Sequence, residues 1–219
     1  MKKTLIILLI GISNGTFSQT IKEIDSVSNL MCDYLKKLKT KDDTLKISLL
    51  YQNQLSPYLG TIDESKVEKV AEQVYYRLQR NCVEFMDILN RLDPPKEETT
   101  RTNKKPKSKL TVLEIKEFTT QKKFYYFEVN GDTTNVLMEN GYWTDSFSDG
   151  TFSNLTYKWI SDTEFELVYI ESNNETRSNF SVQGDQYIYQ VLSKGADFYL
   201  MSLNIPGQET FEKFKIYYK

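Results

Sequence analysis

The sequence contains no histidine among its 219 residues. Histidine is the usual general base near neutral pH and a common zinc ligand. Its absence therefore excludes Ser-His-Asp and Cys-His catalysis and any zinc site built on imidazole groups. The sequence also lacks a dinucleotide-binding fingerprint, a phosphate-binding loop and an Asp-rich calcium loop. These absences favour a protein that is not an enzyme and that holds neither a cofactor nor a metal ion.

The sequence has no apolar run of the roughly 20 residues that a transmembrane helix needs. Its longest such run, residues 5–12, follows Lys2 and Lys3 and precedes the small residues Thr16 and Ser18. This pattern is typical of a secretory signal peptide, which we place at residues 1–18 with cleavage after Ser18. We therefore expect a mature protein that is secreted or periplasmic and that has no membrane-spanning segment.

Cysteine is scarce, since Cys32 and Cys82 are the only two. An even pair in an exported protein favours a disulfide, and closing a loop of this length stabilises a fold by about 4 kcal/mol in the chain-entropy model. Two buried free thiols are the alternative, because cysteine packs well as a small hydrophobe. A catalytic thiol is disfavoured, because the chain has no histidine to activate it.

The net charge of the chain is also small. Without Lys2 and Lys3 the chain has 26 basic and 30 acidic side chains, a net charge of −4. A mildly acidic chain without an evident basic face is a poor candidate for binding nucleic acid. We therefore expect no nucleic-acid partner.

The first half of the mature sequence, residues 19–93, has the apolar periodicity of amphipathic helices. The pattern predicts three helices, at residues 21–38, 43–55 and 65–92. Cys32 lies on the apolar face of the first helix and Cys82 on that of the third, so a disulfide would clamp the two side by side. The helices could form a partner-binding bundle, but stripes that pack on each other within a helical domain are the simpler interpretation.

Residues 94–109 differ from the sequence on either side of them. They begin with Pro94-Pro95, contain six Lys or Arg residues and have no apolar side chain larger than proline. Such a composition buries too little surface to order itself, so we expect a flexible linker. A basic patch that binds an anionic polymer or lipid is the alternative interpretation.

Residues 110–219 alternate short apolar and aromatic segments with turn residues every eight to twelve positions. This spacing is typical of an antiparallel β-meander that curls or closes into a barrel. Together with the helical half, it predicts an α+β protein. The predicted strands are residues 112–118, 124–129, 134–139, 142–147, 152–160, 164–171, 177–182, 186–192, 198–203 and 211–218.

Three short segments of this region resemble the C-terminal domains of small secreted proteins from Bacteroidota. They are Asn140-Gly141-Tyr142-Trp143, Lys158-Trp159-Ile160-Ser161-Asp162 and Glu164-Phe165-Glu166-Leu167. The resemblance covers about half of the chain. It implies a lipocalin-like β-barrel domain, and it brings no activity and no catalytic residues.

The hairpin at residues 157–169 combines strand aromatics such as Trp159 with two nearby glutamates. Alternation places Glu164 and Glu166 on the outer face of their strand, where they are ordinary solvated residues. A carboxylate pair in a glycan hydrolase is the less favoured interpretation. Strand aromatics can line a pocket or form a platform for a ligand. We therefore predict that the ligand-binding residues are Tyr142, Trp143, Tyr157 and Trp159.

The expected function is that of an exported, non-enzymatic binding protein. Its β-domain would bind a small apolar ligand or a component of the cell envelope. The alternatives are an inhibitor or envelope-assembly factor that acts on a protein partner, or the glycan hydrolase already described.

Overall fold

The computed structural model describes residues 20–94, 100–128 and 130–218. The predicted signal peptide and residues 95–99 of the predicted linker lie outside the described residues. The described chain consists of a helical part followed by an antiparallel β-barrel, which confirms the α+β prediction. No helix in these three ranges is both long enough and apolar enough to cross a membrane.

The first helices begin where the sequence places capping residues. Helix α1 (Ile21–Lys37) has a capping box, in which the Thr20 side chain accepts from the Glu23 N–H and the Glu23 carboxylate accepts from the Thr20 N–H. Helix α2 (Asp43–Leu50) begins after Asp42, whose carboxylate accepts from the Leu45 N–H.

The sequence predicted that the second helix would end before Pro57, but the helical path extends beyond this residue. It continues through a π-helical turn (Tyr51–Leu55) into helix α3 (Ser56–Leu59). In the wider turn, the Ser56 N–H bonds to the carbonyl of Tyr51, five residues earlier. Proline is tolerated here because it stands at the start of the next helical segment, where its missing N–H costs little.

The predicted third helix is two helices. A short 3₁₀ turn (Glu64–Lys66) leads into helix α4 (Val67–Asn81), and helix α5 (Val83–Leu92) follows after a break at Cys82. Cys82 has an extended backbone, with φ −125° and ψ 101°. The apolar stripe continues across this residue without glycine or proline, so the sequence carries no ordinary signal of the break.

The helical part has its own apolar core, and the predicted disulfide lies within it. Cys32 and Cys82 are bonded, with their Cα atoms 5.5 Å apart, and both residues are buried. The bond joins α1 to the junction between α4 and α5. Eleven buried residues form this core: Ile24, Met31, Cys32, Leu35, Leu50, Val70, Val74, Leu78, Cys82, Phe85 and Ile88.

The described residues from Thr100 onward form nine strands and two short helices. The strands are β1 (Thr100–Thr102), β2 (Lys123–Phe127), β3 (Thr133–Glu139), β4 (Tyr142–Ser146), β5 (Phe152–Trp159), β6 (Glu164–Ser172), β7 (Gln186–Lys194), β8 (Phe198–Asn204) and β9 (Phe211–Tyr218). Strands β2 to β9 follow one another as an antiparallel meander, and β9 pairs with both β2 and β8. Eight strands therefore close into a barrel.

Two of the ten predicted strands are helices instead. Residues 112–118 belong to helix α6 (Val112–Thr120), which the capping box of Thr111 and Glu114 begins. Residues 177–182 mostly belong to helix α7 (Glu175–Phe180), where the Asn174 side chain accepts from the Arg177 N–H. The eight other predicted strands match β2 to β9 to within a few residues.

The predicted linker is wrong for the described residues 100–109. Strand β1 pairs with the edge of β9 that β2 leaves open, and the Lys109 N–H donates to the carbonyl of Leu192. Arg101 forms salt bridges with Asp87 of α5 and with Glu212 of β9. Backbone hydrogen bonds and ion pairs order a segment whose side chains are too polar to order it by apolar burial.

Candidate functional site

Three of the four predicted ligand-binding residues meet inside the barrel. Their ring centroids surround that of Phe165, at 6.0 Å for Trp143, 6.2 Å for Tyr157 and 5.2 Å for Trp159. All three belong to the barrel core or pack against it. The structure therefore gives each of them a packing role, and their binding of a ligand stays a prediction.

The fourth residue, Tyr142, is not part of this cluster. It is 51% exposed on the outer side of β4, whereas its neighbour Trp143 is buried. Successive side chains of a strand point to opposite faces, so adjacent residues cannot line the same pocket. The same alternation places Glu164 and Glu166 outside, as predicted, and Glu164 forms a salt bridge of 2.6 Å with Lys105.

Helix α6 lies across one end of the barrel and places Phe118 in its interior. The Phe118 ring contacts Phe124 at 5.1 Å, Tyr199 at 4.9 Å and Trp159 at 5.9 Å. On the other side of Phe165, the ring of Tyr189 stacks at 5.5 Å with an interplanar angle of 13°. Aromatic rings thus fill the space in which a small apolar ligand was expected.

The opposite end of the barrel holds a partly buried polar cluster beneath α7. The Trp143 Nε1–H donates to the buried carboxylate of Asp145 at 2.8 Å. The Arg177 guanidinium donates to Glu128 at 2.5 Å, and the Thr134 hydroxyl donates to the same carboxylate at 2.6 Å. Burial raises the pKa of Asp145 to about 6, although the charge of Arg177 and the Trp143 hydrogen bond oppose this rise.

The raised pKa of Asp145 predicts a pH dependence of stability. The folded protein keeps the Asp145 proton up to about pH 6, whereas the unfolded chain loses it near pH 4. The protonated Asp145 therefore makes its full contribution to folding stability below pH 4, and this contribution is lost as the pH rises through 6. Asp145→Asn, which preserves the acceptor for Trp143, should gain up to about 3 kcal/mol relative to wild type between pH 4 and pH 7.

Urea unfolding at both pH values measures this difference. Asp149→Asn is the matched comparison, because the hydrogen bond from Thr151 lowers the pKa of Asp149 in an exposed turn. The stability of Asp149→Asn relative to wild type should therefore fall, not rise, as the pH increases. If the stability difference between Asp145→Asn and wild type stays constant from pH 4 to pH 7, burial does not raise the pKa of Asp145.

The barrel and the helical part meet at a buried arginine. Arg77 of α4 lies between Asp25 of α1, at 2.6 Å, and Asp185 of the β6–β7 connection, at 2.5 Å. It also donates to the carbonyl of Phe180 at 2.9 Å. Asp185 receives a second cation, since the Arg80 Nε lies 3.1 Å away. These contacts join α1, α4 and the barrel through one ionic cluster.

The outer surface of the barrel has four aromatic rings in contact with one another. Tyr217 of β9 stacks on Tyr125 of β2 at 5.2 Å and contacts Phe127 at 5.4 Å and Phe198 of β8 at 6.0 Å. Three lysines lie on the outer side of the same strands, and one of them, Lys215, places its Nζ 5.0 Å from the centre of the Phe198 ring. We call this surface the aromatic face: Lys123, Tyr125, Phe127, Phe198, Lys213, Lys215 and Tyr217.

A groove lies beside the aromatic face, across strands β2, β3 and β4. Its volume is about 210 Å³. Tyr125 and Leu137 give it apolar walls, and Lys123, Asn135 and Ser146 supply its polar groups. The aromatic face and the groove together form one surface that combines partly exposed rings with hydrogen-bonding side chains.

Sequence reasoning missed most of these residues, although signals for two of them exist. Four consecutive aromatic residues, 124–127, must place two rings on each face of a strand, so two of them lie outside any barrel. Arg77 occupies a position on the apolar stripe of its helix, three residues after Val74. No local sequence pattern marks Asp145 or Arg177 as site residues, because they come together only when α7 packs on the end of the barrel.

The fold defines an α+β protein in which a closed eight-stranded barrel carries a disulfide-linked helical part. Helices α6 and α7 lie at opposite ends of this barrel. Among the described residues, no group of three or more cysteine, histidine or acidic side chains is placed to hold a metal ion. No protein-family model, curated protein or solved structure matches the chain.

Proposed function

We propose that the protein is an exported, non-enzymatic binding protein whose aromatic face binds an acidic glycan chain. The observation that carries this proposal is the set of four contacting rings on the outside of the barrel, beside a groove with polar side chains. Export is supported by the signal-peptide pattern and by the disulfide, which is a bond that persists in oxidising compartments.

The rings support a partner with flat apolar surfaces. Tyr125, Phe198 and Tyr217 lie outside the barrel, so its core does not require them, and contiguous apolar rings on a surface commonly mark a binding site. A sugar ring presents a flat face of C–H groups that can stack on an aromatic ring. Its hydroxyl groups can exchange hydrogen bonds with Asn135 and Ser146 in the groove.

The lysines support a negative charge on that partner. Lys123, Lys213 and Lys215 form no salt bridge with the residues that the structure describes. A carboxylated or sulfated glycan supplies anions at intervals along a chain, which suits basic side chains spread over neighbouring strands. A nucleic acid fits less well, because tight phosphate binding uses about six to ten basic contacts and the chain is acidic as a whole.

The packing of the barrel interior favours the outer surface over the interior as the place of binding. A ligand between Trp143 and Trp159 would have to displace Phe118 or Phe165, both of which are fully buried. Displacing such a ring costs about 3–5 kcal/mol if removing it is taken as a guide. The aromatic face can bind a partner without any such rearrangement.

Affinity electrophoresis of the mature protein in gels with polygalacturonate or with neutral dextran tests the proposal. We expect retardation by polygalacturonate alone, weakening as salt is added. Tyr217→Ala should reduce this affinity about tenfold, because it removes the ring that contacts the three others. Lys215→Ala should reduce both the affinity and its dependence on salt.

Tyr142→Ala and Lys158→Ala are matched controls, because both residues are exposed on the outer side of strands β4 and β5, away from the aromatic face. Both variants should bind as the wild type does. The proposal fails if Tyr217→Ala keeps the wild-type affinity, or if single-stranded DNA is bound more tightly than the polysaccharide.

A further inference from the structure

We propose that the end of the barrel closed by α6 docks onto an anionic lipid bilayer. We call this surface the α6 end: Lys104, Lys107, Lys109, Val112, Leu113, Lys116 and Ile160. It does not include the aromatic face, and the inference does not depend on glycan binding.

The apolar part of the α6 end is unusually exposed. Val112 is 83% exposed and Leu113 is 72% exposed, which are the two highest values among the large apolar side chains of the described residues. Ile160 is also exposed and follows directly after Trp159, whose ring contacts Phe118 of α6 at 5.9 Å. Three aliphatic side chains thus face solvent at the same end of the barrel.

The segment before α6 brings lysines to this end. Lys105 pairs with Glu164, and the Glu164 carbonyl accepts from the Ile160 N–H at 2.9 Å, so the segment passes beside Ile160. It then bonds to Leu192 at the end of β7 before α6 begins. Four exposed lysines on this path and on α6 form no salt bridge with described residues: Lys104, Lys107, Lys109 and Lys116.

The carboxylates at this end offset the charge of the four lysines in part. Asp162 and Asp197, in two turns of the barrel, form no salt bridge with described residues. Glu114 accepts hydrogen bonds from Thr111 and keeps its negative charge, whereas Glu117, Glu139 and Glu164 are paired with Lys194, Lys122 and Lys105. Among the described residues, four unpaired lysines against three unpaired carboxylates leave the α6 end with a small positive charge on a chain that is negative as a whole.

Exposed aliphatic side chains surrounded by unpaired lysines fit a bilayer better than the other partners. Aliphatic groups enter the boundary between headgroups and acyl chains, and lysines attract anionic headgroups. A protein partner fits less well, because lysine is depleted in protein interfaces. A glycan fits less well, because Val112 and Leu113 offer no ring on which a sugar could stack.

Co-sedimentation of the mature protein with vesicles tests the inference. We expect binding to vesicles that mix phosphatidylglycerol with phosphatidylcholine, and little binding to phosphatidylcholine alone. The double variant Val112→Asp/Leu113→Asp should bind at least about tenfold more weakly, because both apolar anchors are lost. Lys107→Ala and Lys109→Ala should each weaken binding about fivefold at low salt.

The controls use equally exposed positions elsewhere. Leu30→Asp replaces an apolar side chain that is 62% exposed on α1, and Lys41→Ala removes an exposed lysine of the helical part. Both should bind vesicles as the wild type does, and Tyr217→Ala should do so as well. The inference is overturned if the wild type does not sediment with anionic vesicles, or if the double variant sediments as fully as the Leu30→Asp control.

Discussion

Arg77→Ala is expected to destabilise the protein by about 3 kcal/mol. Arg77 is only 2% exposed, and its guanidinium separates the carboxylates of Asp25 and Asp185. Without it, two partly buried carboxylates lose the cation that neutralises them. The loss should fall at the lower end of the range for a broken buried ion pair, because Arg80 still faces Asp185. Urea unfolding of the variant and the wild type measures the difference.

The same variant should also separate the unfolding of the two parts. Both tryptophans of the chain, Trp143 and Trp159, lie in the barrel, so their fluorescence reports on the barrel alone. Far-ultraviolet circular dichroism is dominated by the helices. We expect the two signals to coincide in the wild type, and the helical signal to be lost first in Arg77→Ala.

Arg91→Ala is the control for the Arg77 variant. Arg91 pairs with Asp43 at 2.7 Å but is half exposed, and such surface pairs contribute about 0–1 kcal/mol. An Arg77→Ala protein that is no less stable than Arg91→Ala would contradict the structural role assigned to the ionic cluster.

The eight strands of the barrel could be predicted because their signals are local. Turn residues such as Asn140 and Gly141 adopt positive φ, of 55° and 80°, and so permit the tight turn between β3 and β4. Alternation then fixes which side of each strand faces the core. The disulfide followed from an equally simple count, since the sequence offers a single pairing.

The two misassigned helices show where local pattern fails. Residues 112–118 include Val112, Leu113, Ile115 and Phe118, and such short apolar runs fit a strand as well as a helix. The capping box of Thr111 and Glu114 was the signal that favoured the helix. The role of α6 as the cover of a barrel end depends on long-range closure, which no local pattern reports.

The candidate sites depend on the same long-range closure. The rings of the aromatic face come from the consecutive strands β8 and β9 and from β2, which is distant in sequence, and β9 brings them together by pairing with both β2 and β8. The two ends of the barrel also become different. The helical part packs on α7 at one end, whereas the α6 end keeps its apolar and basic side chains exposed. The structure thus leaves one end and one side of the barrel open to partners.

Loss of the disulfide is expected to have the largest effect on stability. The Cys32→Ala/Cys82→Ala variant should lose about 4 kcal/mol, because a bond between residues 50 positions apart no longer restricts the unfolded chain. Both cysteines are buried in the helical core, so the loss should fall on that part. The midpoint of the circular dichroism transition in urea should drop well below that of the wild type.

Two comparisons separate this effect from a general loss of packing. The wild type unfolded in the presence of a reducing agent should behave nearly as the double variant does, because both lack the cross-link and the variant additionally lacks only two sulfur atoms. Tryptophan fluorescence should change less than circular dichroism, since Trp143 and Trp159 lie in the barrel core and its periphery. A double variant within about 1 kcal/mol of the oxidised wild type would mean that the helical core holds α1 against α4 without the bond, and that the disulfide adds little to a fold already fixed by Arg77 and its two aspartates.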